Sequence, residues 1–360
     1  MDILLSQPIH QVDLNDDVLR EILTHADIQS VFQFAQVNKT LCHQHDDVFR
    51  HIYQRLYYQT DMDVFKKAEM TWFQLLKLCY QLSRLLILLP SLNYTMKVLY
   101  TTRQLYLCNL QIKVLPPEIG QLSALQTLDV SNNQLSALPP EIGHLSALKT
   151  LDVSNNQLSI LPPEIGQLGH LQILYLSYNQ LSTLPPEMGQ LSALQALFLS
   201  YNQLSALLPE MSQLSVLQTL TLSYNKLIVL LPAIGQLRAL QELYLDNNKL
   251  RALPPEMGQL SDLQTLVLYH NKLGALPPEI GQLSALQKLY LSNNKLNALP
   301  PEIGQLSNLQ KLYLSKNQLG ALPPEMGKLS ALKYLSLSNN NFSSTLKNEL
   351  KQQLLNTVID

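Results

Sequence analysis

Apolar residues follow two different rhythms along the 360-residue chain. In the N-terminal part they recur at helical spacing. Val18, Leu19, Ile22 and Leu23 form one set, Ile28, Val31, Phe32, Phe34 and Ala35 a second, and Val48, Phe49, Ile52, Tyr53 and Leu56 a third. Each set falls on one face of a helix. Asp16 and Asp17 occupy a favoured first turn, and Asp27 is an N-cap. A fourth helix is predicted over 64–82, with the single tryptophan, Trp72. No glycine occurs before Gly120.

From 102 to 342 the apolar positions repeat every 23 residues in the frame L-x-x-L-x-L-x-x-N-x-L. Leu125, Leu128, Val130, Asn133 and Leu135 fill it first, and Leu332, Leu335, Leu337, Asn340 and Phe342 fill it last. Ten copies carry the asparagine, and an eleventh, degenerate copy precedes them with Leu110 in its place. The L-x-L core predicts a short strand, leucines inward and intervening residues outward. One such unit cannot bury its leucines alone, but a stack of them can. The asparagine, both donor and acceptor, is suited to backbone groups buried where the chain turns. Leu110 cannot do this and marks the first copy as partly a cap.

The second half of each repeat reads LPPEIGQL or close to it. Paired prolines disfavour helix and fix an extended stretch. The turn after them offers Gly120, Gly143 and Gly166 for a left-handed backbone. Two copies depart, with Leu208-Pro209 and Ser212, then Leu231-Pro232 and Ala233, and looser turns are expected there. Leu85–Leu107 is read as a first capping coil. SSTLKNELKQQLLNTVID at 343–360, with Leu346, Leu350 and Leu354 in a stripe, is read as a capping helix. The organisation is thus 1–60 helical module, 61–101 helical linker and N-terminal cap, 102–342 eleven repeats, and 343–360 C-terminal cap.

The repeats resemble the leucine-rich-repeat family, in the LPPEIGQLSAL variant. The resemblance implies an α/β solenoid, a horseshoe whose strands line the concave face. Residues 12–58 resemble an F-box: Leu14-Asn15-Asp16-Asp17-Val18-Leu19, Val37-Asn38-Lys39-Thr40-Leu41 and Asp46-Asp47-Val48-Phe49-Arg50 stand where that motif has its hallmarks. Asn15 replaces a proline, Asn38 a cysteine, and Leu41 and Phe49 tryptophans. The resemblance implies an all-α module that binds a Skp-type adaptor and, through it, a cullin ubiquitin ligase. It makes Leu14, Val18, Ile22, Ile28, Val31 and Val37 the adaptor-facing residues. The alternative is a helical cap on a scaffold of the Ras-group leucine-rich-repeat type, which binds a signalling protein without a ligase.

On the implied concave face two columns vary. LDVSNNQL at 128–135 becomes LYLSYNQL at 174–181, so Asp129 and Asn132 give way to Tyr175 and Tyr178. Tyr175, Tyr178, Phe198, Tyr201, Tyr224 and Tyr244 are expected to form one exposed patch over four adjacent strands. Asp246, Tyr269 and His270 adjoin it with Glu242, followed by Lys288 and Lys311, and Tyr290 and Tyr313 extend it. Tyrosine is favoured at recognition surfaces for its area and polar tip. It also suits strands generally. Its absence from the same columns of the second and third repeats favours a protein-binding face.

Composition narrows the function further. A net charge of −2 gives no overall basic character for nucleic acid. The longest apolar run, LLILLP at 85–90, is too short to span a membrane. No basic, apolar leader opens the chain, and Cys42, Cys79 and Cys108 lack redox or metal spacing. A cytoplasmic working place is expected; the nearly identical repeats also fit a bacterial effector in a host cytosol. No phosphate loop or hydrolase motif occurs, Cys42, His43, His45 and His51 match no zinc pattern, and no cysteine follows the last repeat. No cofactor, metal or intrinsic catalysis is expected.

Overall fold

The computed structural model describes residue 50, residues 96–342 and residues 357–360. The chain divides into two compact units, Met1–Thr102 with Glu118–Ala124, and Arg103–Pro117 with Leu125–Asp360. In the first, the described part includes a short helix α1 (Met96–Thr101) and most of a 3-10 helix, Pro117–Gln121.

The second unit is a solenoid. Its strands are β1 (Gln104–Tyr106), β2 (Thr127–Asp129), β3 (Thr150–Asp152), β4 (Ile173–Tyr175), β5 (Ala196–Phe198), β6 (Thr219–Thr221), β7 (Glu242–Tyr244), β8 (Thr265–Val267), β9 (Lys288–Tyr290), β10 (Lys311–Tyr313), β11 (Tyr334–Ser336) and β12 (Val358–Ile359). They form one parallel sheet in chain order. Register shifts by one repeat per strand, so Leu128 pairs Leu151 and Leu151 pairs Leu174. In β1–β11 the central leucine is fully buried, and its two neighbours lie on the other face, where most are at least partly exposed; Thr265, Val267 and Ser336 are buried there.

The asparagines act as the sequence suggested. Asn156 donates from Nδ2 to the carbonyls of Val130 (3.0 Å) and Val153 (3.1 Å), and its Oδ1 accepts from the Leu135 amide at 2.9 Å. Asn133 supplies the last missing part of the first repeat, its Oδ1 accepting from Leu110 and Ile112 at 3.0 Å each.

Opposite the sheet, each PPEIGQ stretch forms a five-residue 3-10 helix, such as Pro140–His144 and Pro163–Gln167. The first proline is extended (Pro139, φ −69°, ψ 146°), and the second begins the helix, where its missing N–H loses nothing. None of the described glycines has positive φ, which corrects the expected left-handed turns. The reason for glycine is contact between repeats. A Cβ on Gly143 would lie 2.6 Å from the Glu164 carbonyl oxygen, and one on Gly166 2.5 Å from that of Glu187.

Where Ser212 replaces that glycine, and Ala233 the glutamate one repeat on, a small apolar cleft opens between Met211, Leu231 and Ile234. The two turns themselves keep the five-residue 3-10 form of the other repeats, Pro209–Gln213 and Pro232–Gln236, so the expected loosening is confined to side-chain packing. The C-terminus is a second correction. Val358 and Ile359 are not helical; they pair with Tyr334 and Leu335 as a twelfth strand. β-Branched residues beside an open sheet edge take the ladder bonds on offer, Val358 N–H to Lys333 (3.0 Å) and Asp360 N–H to Leu335 (3.0 Å). The leucine stripe before them lies outside the described residues.

Candidate functional site

Three residues after the end of each of β1–β11, the chain turns on one residue with a left-handed backbone. These are Asn109, Asn132, Asn155, Tyr178, Tyr201, Tyr224, Asn247, His270, Asn293, Lys316 and Asn339, with φ between 52° and 61°. Asparagine tolerates this region because its short amide bonds locally, whereas other side chains crowd the carbonyl at a cost of roughly 1–2 kcal/mol. Tyrosine is therefore a poor fit at 178, 201 and 224. The left-handed column was missed in the sequence, although an asparagine recurring just before the fixed asparagine is its signature.

The three tyrosines stack as parallel rings, with centroids 4.2 Å apart for Tyr178–Tyr201 and for Tyr201–Tyr224. They remain 49%, 38% and 43% exposed. The Tyr201 hydroxyl is pushed up to about 12, first by desolvation between its neighbours and then by hydrogen bonding to Tyr224 and Tyr178. Beside this ladder runs a second one, Tyr175 on Phe198 at 4.6 Å.

The expected single patch is thus two parallel ladders, and Tyr244 does not extend either. Thr221 stands between Phe198 and Tyr244 in the register, and the Tyr244 hydroxyl donates to Glu242 Oε2 at 3.3 Å. Burial, then the Glu242 carboxylate, raises the Tyr244 pKa.

Asp246 does not offer a free charge. It is 3% exposed; Ser223 Oγ donates to its Oδ1 at 2.5 Å and Asn247 Nδ2 to its Oδ2 at 2.8 Å. Desolvation, followed by the nearby Asp246 carboxylate, pushes the Tyr269 hydroxyl up to about 12. Asp246 therefore positions its neighbours. His270 is exposed and meets Tyr269 edge-on at 5.5 Å. Further along, Tyr290 and Tyr313 stack at 4.6 Å, and Tyr334 adds a tilted third ring 5.0 Å from Tyr313. Leu14, Val18, Ile22, Ile28, Val31 and Val37 lie outside the described residues, as does the cluster around Cys42.

Comparison with known proteins agrees with this geometry. Leucine-rich-repeat models match residues 62–160 and 265–356, and 146–204, 169–227 and 192–250; an F-box domain model matches 12–44. The chain is an F-box and leucine-rich-repeat protein.

Solved structures similar to this F-box and leucine-rich-repeat protein include a leucine-rich-repeat protein of Leptospira interrogans, 31% identical over 75% of this chain and 99% of that one, with a TM-score of 0.50. The plant peptide hormone receptor RGFR1, in complex with RGF2, is 34% identical over 64% of this chain and 38% of its own, with a TM-score of 0.58. A TDR receptor is 29% identical over 72% of this chain and 48% of its own, with a TM-score of 0.62. No curated protein matches the chain. Among the described residues, no helix is long and apolar enough to cross a membrane.

Proposed function

We propose that this protein is an adaptor. Its F-box binds a Skp-type protein and thereby a cullin ubiquitin ligase, while the outer face of its sheet holds a target protein. It carries no catalysis of its own and works in the cytoplasm, the host's if the chain is a bacterial effector.

The observation that carries the target half is the placement of Tyr178, Tyr201 and Tyr224, exposed and stacked, at three left-handed positions. Two ring stacks at roughly 0.5–1.5 kcal/mol each do not clearly exceed three left-handed penalties at roughly 1 kcal/mol or more. Stability gives no preference for tyrosine over the asparagine found elsewhere in the column. A rigid row of amphipathic rings is what a binding surface favours. Support also comes from RGFR1, a relative in these repeats that is solved with a bound partner, RGF2.

The test is Tyr178→Asn/Tyr201→Asn/Tyr224→Asn in the full-length protein, used beside wild type to capture partners from a eukaryotic lysate. The expected result is loss of the specifically captured protein with the melting temperature unchanged within a few degrees. Equal capture by the variant would contradict the target-site assignment. A collapse in melting temperature would make the rings structural.

A further inference from the structure

Two residues beyond each left-handed position, at the x of N-x-L, stands a column that reads Gln134, Gln157, Gln180, Gln203, Lys226, Lys249, Lys272, Lys295, Gln318. Four consecutive repeats thus present lysine, and all four side chains are exposed. Their backbones are locked in register by a ladder of bonds, Lys249 N–H to Leu227 (2.8 Å), Lys272 to Leu250 (2.8 Å) and Lys295 to Leu273 (2.9 Å). Lys226 Nζ donates to Gln203 Oε1 at 2.9 Å, and among the described residues none of the four forms an ion pair.

Like charges one strand spacing apart, about 4.8 Å, disfavour the fold. Glutamine fills the same column elsewhere, so nothing in the packing calls for lysine.

The row belongs to a wider division of charge. Residues 102–225 hold three basic and seven acidic side chains, whereas 226–342 hold eleven basic and seven acidic. On the sheet face the sign changes across the tyrosines. Asp129 and Asp152 precede them, and exposed Lys288, Lys311 and Lys316 follow. Each of the two aspartates already accepts the backbone N–H two residues on at 2.9 Å.

We propose that the row Lys226–Lys249–Lys272–Lys295, with Lys288, Lys311 and Lys316, docks an acidic stretch of the target polypeptide while an apolar part of that target rests on the tyrosine ladder. This rests on the reading of the sheet face as the target site. The chemistry favours a polypeptide over nucleic acid. Glu256, Glu279, Glu302 and Glu325 in the same repeats hold the basic excess of this half to four charges, and rings beside the row offer contact to an apolar side chain.

The probe is a labelled random copolymer of glutamate and tyrosine, with duplex DNA carrying the same label as the competing anion. Both are titrated against the full-length protein at low salt by fluorescence anisotropy. Lys226→Gln/Lys249→Gln/Lys272→Gln/Lys295→Gln installs the residue native to the column, so the fold is kept; the Tyr178→Asn/Tyr201→Asn/Tyr224→Asn protein runs alongside. The expected result is binding of the copolymer that weakens about tenfold or more in the lysine variant and falls steeply with added salt. Unchanged affinity in the lysine variant overturns the proposal, as does tighter binding of DNA that depends on the same lysines. Loss in the tyrosine variant alone leaves the target site standing and removes the lysine assignment. Loss in the lysine variant alone keeps the acidic dock and removes the tyrosine ladder from recognition.

Discussion

Asn202 satisfies three backbone groups at once. Its Nδ2 reaches the carbonyls of Leu176 (2.9 Å) and Leu199 (3.1 Å), and its Oδ1 takes the Leu181 amide at 3.0 Å. Asn202→Leu would orphan all three, at roughly 1–3 kcal/mol for each buried group. A marked fall in the denaturation midpoint is expected, measured by urea unfolding followed by circular dichroism. One residue earlier the logic reverses, since Tyr201 is exposed and only its conformation is constrained.

Titration separates the two kinds of residue as well. Tyr201 and Tyr269, both raised to about 12 against an ordinary 10, should be the late phenolates in an absorbance titration. A folded-state pKa above the unfolded one means that their contribution to stability is complete below pH 10. It is lost as pH rises from about 10 to about 12. Tyr201→Phe should remove one late-titrating group. Target binding through the ladder should not change with pH across the neutral range.

At the scale of the element, the 3-10 turns are held by contact between neighbouring repeats. Gly143→Ala forces a methyl against the Glu164 carbonyl oxygen 2.6 Å away. A loss of roughly 1–3 kcal/mol is expected, typical of overpacking, and is measurable as a drop in melting temperature. An unchanged melting temperature would mean that the repeats slide apart at little cost.

This level also divides what the sequence made legible from what it did not. Strand positions, buried leucines and the asparagine ladder follow from a period that repeats ten times, because each is dictated by local pattern plus the need to stack. The glycine conformation was misread because a glycine looks the same whether it relieves φ or makes room for a neighbour's carbonyl. The left-handed column was hidden for the opposite reason: tyrosine, histidine and lysine occupy it in five repeats and mask the asparagine that signals it. Val358 and Ile359 joined the sheet because an open strand edge outweighed the helical pattern preceding them. The buried state of Asp246 depends on Ser223 of the preceding repeat as well as on its neighbour Asn247, which no single-repeat pattern reports.

At the scale of the whole molecule, an F-box precedes a leucine-rich-repeat sheet, and under the proposed function the first recruits a ligase component while the second holds a target. The repeats supply rigidity and a long register along which single positions can change without disturbing the core. Asp129 and Tyr175 occupy equivalent places in the register, beside the equivalent buried leucines Leu128 and Leu174. Such a scaffold accepts a new face at the cost of a few local strains, which is why the strained positions point to function.

The adaptor role is tested most directly by mixing the full-length protein with a purified Skp-type adaptor and following both on a sizing column, beside Leu14→Ala/Ile22→Ala. The account predicts a stable complex with wild type that is lost in the double variant. Separate elution of the two wild-type proteins, with the leucine-rich-repeat protein well folded, would contradict it and leave a scaffold whose helical N-terminus serves only as a cap.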